Sequence, residues 1–327
     1  MMFGGLQRCP NRLQWIWPSP FTRLPRASAG HVNQRRRLGR EAFRRYIQEQ
    51  AEPVEWLMEA CGTAHYWGRF AQSLGHRVIL LHPRYVKPYR RRNKTDRNDC
   101  DALLEAARCA GIHPVPVKSH EQQQLQQLHG LREAWKKSRT QRINLLRGIF
   151  REMGLEAPAS IAAFLHAANE LVEQPEVAAR RGQLQIVLAE INLYEQCMVE
   201  CEQQLARWHA DDAIVRRLDE VSGIGLLSAS ALKTAVGQPE RFASGRQLSA
   251  WLGMTPREYS SGNTRKLEHI SRQGNVYVRT LLIHGAASKA AVALANKLVR
   301  ICWAMWCHER RFSGDWQSSR FSRGCGE

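Results

Sequence analysis

The sequence predicts an α/β domain, then long helices, then a separate α-rich domain. Three observations predict this order. Apolar runs alternate with a helical pattern between residues 54 and 81. Apolar residues recur at three-four spacing between residues 120 and 208, and a glycine-containing turn separates two helical segments after residue 211. The chain has 327 residues, which is enough for two or three domains with their own cores.

Residues 1–37 predict a disordered basic arm. Residues 1–48 hold ten arginines, no lysine and one glutamate, and up to residue 37 no helical or strand period is visible. The whole chain carries a formal net charge of +18. Such an excess favours a polyanionic partner, with nucleic acid first among them.

For residues 38–118 the sequence predicts a parallel β-α-β unit. The apolar run Val54–Met58 predicts a strand, Thr63–Leu74 a helix, and Val78–Leu81 a second, buried strand. A further helix is predicted over Asp96–Ala110. Strand, helix and strand in this order are typical of an α/β layer structure.

Residues 119–210 predict two long helices, His120–Met153 and Leu184–Trp208, with a looser link between them at Pro158–Pro175. Their apolar stripes keep the three-four spacing of a coiled coil. The pattern fits an antiparallel hairpin within one chain or a seam between two chains. We therefore expect a coiled coil through which the chain forms a homo-oligomer.

Residues 211–308 predict an α-helical domain. The segment Val221–Gly225 lies between the helical segments Ile214–Glu220 and Leu226–Val236, as in a helix-hairpin-helix. Glycines at 223 and 225 allow a tight turn whose amide groups face a phosphate, so Gly223 and Gly225 are candidate nucleic-acid contacts. The alternative is a plain structural turn between two helices.

Three acidic residues are candidate catalytic residues and metal ligands. Glu59 follows a predicted strand, at the edge where α/β sheets bind ligands. Asp96 and Asp99 lie three apart and share one helix face. Together the three carboxylates could hold Mg²⁺ for chemistry on a phosphodiester. The alternative is helix capping, with Asp96 as the N-cap and Asp99 favoured by the helix dipole.

A dense basic cluster precedes the two aspartates. It predicts a clamp on the nucleic-acid backbone, with Tyr85 and Tyr89 as stacking aromatics; the alternative is a solvated loop. The members taken as nucleic-acid contacts are Arg84, Lys87, Arg90, Arg91, Arg92 and Lys94.

A second basic stretch surrounds Ser260, Ser261 and Gly262, in a segment from 256 to 279 that predicts a loop. A serine among cations could attack a phosphodiester, because the cations stabilise the developing negative charge. The alternative is an ordinary turn. The basic residues taken as nucleic-acid contacts are Arg257, Arg265, Lys266 and Arg272.

No stretch of the sequence has 18 uninterrupted apolar residues, so we expect no membrane partner. The nine cysteines are odd in number and form no Cys-x-x-Cys pair. We expect them to be reduced, in a bacterial cytoplasmic protein associated with the nucleoid.

Several stretches, in this order, resemble the DEDD-type transposases of insertion-sequence family 110. They span about residues 38–308 and are Met58–Gly62 with Tyr66 and Trp67, Lys94–Asp99, Val221–Gly225, Trp251–Gly262, and Ile270–Asn275 followed by Arg279.

The resemblance implies a RuvC-like domain of the RNase H fold, a coiled coil and a serine-bearing C-terminal domain. It implies recombination of double-stranded DNA, at element ends and target, under a structured noncoding guide RNA and with divalent metal. Glu59, Asp96 and Asp99 would be the second, third and fourth acidic residues, and Ser261, or else Ser260, the nucleophile.

The sequence departs from the family's pattern at its start. The family opens with a strand that carries Gly-Ile-Asp, but Asp96 is the first aspartate here. The first three strands of the sheet also find no counterpart, which suggests a truncated domain and a shifted reading frame or start within residues 1–37. The helical stretch after His284 is short, and residues 309–327 form an unfamiliar tail. We therefore expect an impaired transposase; the alternative is a catalytically inactive remnant that binds DNA or RNA.

Overall fold

The structure, a computed structural model, describes residues 13–16, 21–28, 31–90, 95–262, 264, 266–286, 291–309 and 311–312. For residues 13–16, 21–28, 31–37, 96 and 97 it describes the backbone alone. The chain divides into two compact units, Met1–Glu121 and Gln122–Glu327. This division lies close to the boundary between residues 118 and 119 that the sequence predicts.

The first unit contains a five-stranded sheet with the order β3-β2-β1-β4-β5. β1 runs parallel to β4, β4 runs parallel to β5, and β2 is antiparallel to both β1 and β3. The strands are β1 (Leu13–Ile16), β2 (Phe21–Ser28), β3 (His31–Gly39), β4 (Glu55–Glu59) and β5 (Arg77–Leu81).

The three N-terminal strands overturn the expectation of a disordered arm for the parts of residues 1–37 that the structure describes. They also overturn the expectation that the first three strands have no counterpart. Sheet pairing uses main-chain N–H and C=O groups, which every residue except proline provides in full. An arginine-rich strand at the sheet edge, such as β3, can therefore pair without showing an alternating apolar pattern.

Helices cover both faces of this sheet. Trp56, Met58 and Leu80 pack in one core cluster with residues of α1 (Arg40–Gln48) and α2 (Ala64–Ser73). Leu57 and Leu81 belong to another cluster, with the buried side chains of α4 (Asp96–Arg108). A short helix, α3 (Pro83–Val86), follows β5. Side chains of successive strand residues point to opposite faces, so β4 serves both clusters.

The second unit contains a hairpin of two long helices, α5 (His120–Glu152) and α7 (Arg181–Trp208). Three ion pairs join them in antiparallel register: Arg132 with Glu202 at 2.6 Å, Arg142 with Glu190 at 2.7 Å, and Arg139 with Glu195. The apolar stripe of α7 is buried within this one chain. The two long helices thus pair antiparallel within the chain.

The predicted loose link between the long helices contains a helix, α6 (Ile161–Val172). Phe164, Ala168 and Val172 lie on one side of it and are buried against α5 and α7. Ser160 caps its N-terminus, accepting a hydrogen bond from the Ala163 amide at 3.2 Å. The segment is thus a packed third helix of the same core.

The remaining elements form an α-helical core with one small hairpin. The sequence predicts a loop where the structure has the two strands of this hairpin, because their side chains are nearly all exposed and carry no apolar alternation. The elements are α8 (Ala213–Asp219), α9 (Leu226–Val236), α10 (Gly245–Trp251), β6 (Pro256–Glu258), β7 (Leu267–Ile270), α11 (Val276–Gly285) and α12 (Ala291–Cys307).

None of the described helices combines the length and the apolar character that a membrane span needs. All seven cysteines that the structure describes are free.

Candidate functional site

Glu59 ends β4 and is buried, with 8% of its surface exposed. Leu57, two residues earlier, packs in the cluster formed with α4, so Glu59 lies on the face of the sheet that α4 covers. Burial, and secondly the nearby Glu59 carboxylate, raise the pKa of the Cys61 thiol to about 11. Glu59 therefore places a carboxyl group at the carboxyl end of the parallel strands β4 and β5.

Asp99 lies in the acidic turn, which we define as residues 96–99 at the start of α4. Its side chain is 2% exposed, and Ala102 and Leu103, one turn further on, are buried against the sheet. Asp99 thus faces the sheet layer that carries Glu59. The side chain of Asp96, one turn earlier, lies outside the part of the chain that the structure describes.

The acidic turn begins after Thr95, which is the N-cap of α4. Its hydroxyl accepts a hydrogen bond from the Asn98 amide at 3.3 Å, as N-cap side chains do. The alternative prediction that Asp96 is the cap is therefore wrong, because the residue before it already occupies that position. Asp96 is the first helical residue instead.

Arg90 closes on the acidic turn. Its Nε lies 2.5 Å from Oδ1 of Asp99, and the Arg90 side chain is 21% exposed. Within the described chain neither atom makes a hydrogen bond, so the contact is an ion pair without hydrogen-bond alignment. The sequence predicts Arg90 as a nucleic-acid contact, whereas in the structure its guanidinium is engaged with a carboxylate.

Two buried carboxylates, those of Glu59 and Asp99, offer oxygen ligands suited to a hard divalent cation. The unaligned Oδ1 of Asp99 is an acceptor that a cation could satisfy. Among the described side chains, however, no group of three His, Cys, Asp or Glu residues is placed to hold a metal. Of the three predicted ligands, Glu59 and Asp99 are buried, and the side chain of Asp96 lies outside the part of the chain that the structure describes.

The first strand brings no carboxylate to this edge. β1 pairs in parallel with β4, and Ile16 is the register partner of Met58, one residue before Glu59. An acidic residue at the end of β1 would therefore lie beside Glu59. The segment Leu13–Ile16 contains none.

The residues of the basic cluster before α4 have different environments in the structure. Arg84 and Lys87 are exposed, while Arg90 is paired with Asp99. Tyr85 is 47% exposed and could stack on a base, but the Tyr89 hydroxyl lies 2.9 Å from Sγ of Cys109. Tyr89 is thus held by the protein. The predicted contacts Arg91, Arg92 and Lys94 lie outside the described residues.

The serine pair lies at the end of the hairpin formed by β6 and β7. Ser261 pairs with Thr264 through two backbone hydrogen bonds of 3.2 and 3.1 Å, and its side chain is exposed. Ser260 donates its hydroxyl to Oε1 of Glu258 at 2.9 Å. Gly262 adopts a φ of 55°, which favours glycine.

The base of the hairpin is fixed by buried contacts. Arg279, 7% exposed, donates to the carbonyl oxygens of Leu252 (2.9 Å) and Gln273 (3.2 Å). Asn296 donates to the carbonyl of Met254 at 3.2 Å. No local pattern in the sequence predicts this role for Asn296, and for Arg279 only its place after the segment Ile270–Asn275 marks it. A signal exists in Asn275, whose side chain caps α11 and so sets Arg279 in that helix's first turns.

The basic residues of the segment that contains Ser260 and Ser261 are exposed where the structure describes them. Arg257, Lys266 and Arg272 are exposed, although Arg257 also donates to the carbonyl of Ser271 at 3.1 Å. Arg272 adopts a φ of 52°, and its amide donates to the Gly253 carbonyl at 3.0 Å. The remaining predicted contact, Arg265, lies outside the described residues.

The turn at Val221–Gly225 joins α8 to α9. Gly223 has a φ of 90°, and a Cβ built on it would lie 2.8 Å from the carbonyl oxygen of Gly285 at the end of α11. Gly225 is the N-cap of α9, with open space where a Cβ would stand. Close backbone packing thus accounts for Gly223, as the structural alternative proposes, while a phosphate contact by either glycine stays a prediction.

Comparison with known proteins matches both units. The model of a family described as Transposase IS116/IS110/IS902 matches residues 215–300. A second, the DEDD transposase model of IS110 elements, matches residues 27–154. A probable family 20 transposase of Pseudomonas aeruginosa is 39% identical, over 85% of this chain and 91% of its own.

The chain belongs to the IS116/IS110/IS902 family of transposases.

Further relatives of this transposase come from other bacteria. The transposase for insertion sequence element IS1111A of Coxiella burnetii is 33% identical, over 78% of each chain. The transposase for IS1328 of Yersinia enterocolitica is 30% identical, over 87% of this chain and 92% of its own. The predicted resemblance is thus confirmed, and the chain is a transposase of an insertion sequence in this family.

The matched ranges place the candidate residues of the transposase within both family models. The DEDD match includes Glu59, Arg90 and the acidic turn, and the other match includes the turn Val221–Gly225 and the segment Ser260–Gly262. Residues 1–26 lie outside both matches, and β1 with them.

Proposed function

We propose that this transposase cleaves and rejoins double-stranded DNA with two sets of residues. Glu59, Asp96 and Asp99 would hold Mg²⁺, and Ser261 would be the nucleophile. The observation that carries the metal proposal is that Glu59 and Asp99 are both buried on the α4 face of the sheet. Carboxylate oxygens on one face are ligands that a hard divalent cation prefers, and such a cation also binds phosphate.

When bound, Mg²⁺ would supply positive charge to the oxygens of the phosphodiester. The chain's own residues do the rest. Ser261 loses its hydroxyl proton to solvent, its Oγ bonds to phosphorus, and a phosphorus–oxygen bond to deoxyribose breaks. The released oxygen takes up a proton, and DNA stays joined to Ser261 until a DNA hydroxyl reverses the step.

The choice between the two serines is supported by their contacts. Ser261 is exposed at the end of the hairpin, whereas Ser260 donates its hydroxyl to Glu258. The exposed Lys266 lies opposite Tyr259 near the same end of the hairpin and would stabilise charge on the phosphate. Arg279 and Asn296 fix the base of the hairpin and so limit where Ser261 can move.

We further propose that catalysis is impaired in this chain. β1 supplies no carboxylate beside Glu59, so one ligand of a four-residue acidic set is missing. Misplacing reacting groups by about 1 Å can cost on the order of a hundredfold in rate. A site with three carboxylates would therefore bind cation weakly and turn over slowly.

A denaturing gel shift with labelled element-end DNA, Mg²⁺ and cognate RNA tests the serine proposal. We expect a slow covalent adduct with the wild-type chain and with Ser260→Ala, and none with Ser261→Ala. Asp99→Asn should abolish it as well. An adduct that forms with Ser261→Ala but not with Ser260→Ala would show that Ser260 is the nucleophile. An adduct that forms with both variants would show that neither serine is required.

The second candidate function is nucleic-acid binding without turnover. The missing β1 carboxylate and the ion pair between Arg90 and Asp99 favour it. It predicts that binding to DNA or RNA weakens steeply with salt, because Lys and Arg release counterions from phosphates. It also predicts no adduct in any variant. The adduct assay therefore separates the two candidates.

Guide RNA and self-association complete the proposal. The net charge of +18 supports a structured RNA partner beside DNA. Since the inner stripe of α7 is buried within one chain, a second copy would pack on exposed apolar residues of the two long helices. These are Leu131, Leu145, Ile186, Leu193 and Val199. Sedimentation of Leu193→Asp should show loss of oligomer, whereas an unchanged oligomer would place the interface elsewhere.

A further inference from the structure

The contact between Arg90 and Asp99 occupies the atom that a cation would use. Arg90 Nε lies 2.5 Å from Oδ1 of Asp99, which is 2% exposed. Magnesium binds carboxylate oxygen at about 2.0–2.1 Å, so Nε lies almost as close to Oδ1 as a bound metal would. The positive guanidinium therefore opposes the binding of a second positive charge at this oxygen.

The ion pair also explains how a buried carboxylate is tolerated without metal. A buried charge whose partner is removed destabilises a protein strongly. Arg90 supplies the opposite charge from the chain itself, at the end of the segment that carries the exposed Arg84 and Lys87.

We propose that Arg90 and a divalent cation compete for Asp99, so that cation binding releases Arg90 from the acidic turn. The released guanidinium is then available to a DNA phosphate. This inference rests on the proposed metal role of Asp99. It assigns Arg90 a regulating position that a simple phosphate clamp would not have.

Two measurements on the purified full-length chain test the competition without any DNA reaction. Free Mn²⁺ is titrated by electron paramagnetic resonance, and the melting temperature is recorded in EDTA and in Mn²⁺. Arg90→Gln should bind Mn²⁺ more tightly by about tenfold or more, because a nearby positive charge has been removed. In EDTA the same variant should melt at a lower temperature than wild type, because Asp99 has lost its partner.

Two controls frame the result. Arg90→Lys keeps the charge and should bind Mn²⁺ as weakly as wild type. Arg108→Gln removes an exposed arginine paired with Glu105 on the same helix, and should change neither measurement. If Arg90→Gln does not fold in EDTA, refolding it in Mn²⁺ tests the same competition: recovery of the fold supports it, and no recovery refutes it.

The outcomes separate this inference from the proposed function. If Asp99→Asn abolishes Mn²⁺ binding while Arg90→Gln binds no more tightly than wild type, the competition is refuted and the metal role stands. If Asp99→Asn binds Mn²⁺ as wild type does, the metal role of Asp99 fails, and the competition fails with it.

Discussion

The hydroxyl oxygen of Ser230 lies 2.8 Å from Nε2 of His209, and both side chains are buried. Ser230 also lies 2.9 Å from Nε2 of His129, whose Nδ1 is 3.1 Å from the Tyr277 hydroxyl. Nδ1 of His209 is 3.2 Å from Oδ2 of Asp212. Each of these ring nitrogens and hydroxyl groups thus has a partner in one continuous chain of hydrogen bonds.

This chain of hydrogen bonds links three helices of the second unit, α5, α9 and α11, to the C-cap of α7, His209, and the N-cap of α8, Asp212. It therefore couples the hairpin of the two long helices to the domain that carries Ser260 and Ser261. A buried polar network of this kind stabilises one arrangement only when all its members are satisfied.

Ser230→Ala should lower the free energy of unfolding by about 1–3 kcal/mol, because the Nε2 atoms of two buried imidazoles lose their hydrogen bonds to the Ser230 hydroxyl. Urea denaturation measures the loss. Thr280→Ala is the control, since it removes an exposed hydroxyl of the same unit that bonds only the Val276 carbonyl. The control should change stability by less than about 0.5 kcal/mol. Equal effects of the two variants would contradict the network.

Stability should also fall in mild acid. Burial first, and then the charges of His209 and Arg132, lower the pKa of His129 from 6.5 to about 4. Because the folded pKa is depressed, the stabilisation is complete above pH 6.5 and is lost as the pH falls towards 4. Each unit of depression corresponds to about 1.4 kcal/mol.

Urea unfolding at a series of pH values measures this dependence. His129→Gln should show a flatter profile than wild type, because the titrating group has gone. Parallel profiles for the two proteins would show that His129 does not cause the acid sensitivity.

Gly223→Ala should destabilise the second unit much more than Gly225→Ala. The first substitution forces a Cβ to 2.8 Å from the Gly285 carbonyl at a φ of 90°, whereas the second meets open space. Backbone strain of this kind costs about 1–3 kcal/mol. Melting temperatures of the two variants measure the difference. Similar melting temperatures would mean that α11 does not pack on this turn as described.

Thr95→Ala should destabilise the start of α4 by about 1 kcal/mol, because the cap hydroxyl is lost. Thr95→Ser keeps the hydroxyl and should lie close to wild type. Amide hydrogen exchange at Asn98, whose N–H bonds the Thr95 hydroxyl, measures the effect locally. Unchanged protection of the Asn98 amide in Thr95→Ala would show that another residue caps α4.

Several helices were predicted with accurate ends because their residues meet a local requirement. The predicted helix Asp96–Ala110 is observed as Asp96–Arg108, and Leu226–Val236 is observed with the same ends. Apolar spacing, caps and glycines act within a few residues and are readable in the chain. The edge strand β3 was missed because main-chain pairing leaves no such pattern in an arginine-rich sequence.

The candidate site was predictable in its residue types but not in its contacts. Glu59, Asp96 and Asp99 stand out as acids beside a basic cluster. That Arg90 of this cluster turns back onto Asp99 depends on how residues 83–90 pack, which no local pattern shows. The cap at Thr95 was assigned to the wrong neighbour, since threonine and aspartate have similar capping preferences.

The sequence by itself determined the family, the α/β and helical division, and the residue types offered for chemistry, because spacing and composition are properties of the chain alone. Only the tertiary structure decided which of these residues are buried and which pair with one another. It buried Glu59 and Asp99 on one face of the sheet, paired Arg90 with Asp99, and closed the network around Ser230. These arrangements join residues far apart in sequence or across irregular segments, and burial makes the pairings necessary because an unpaired buried polar group costs free energy.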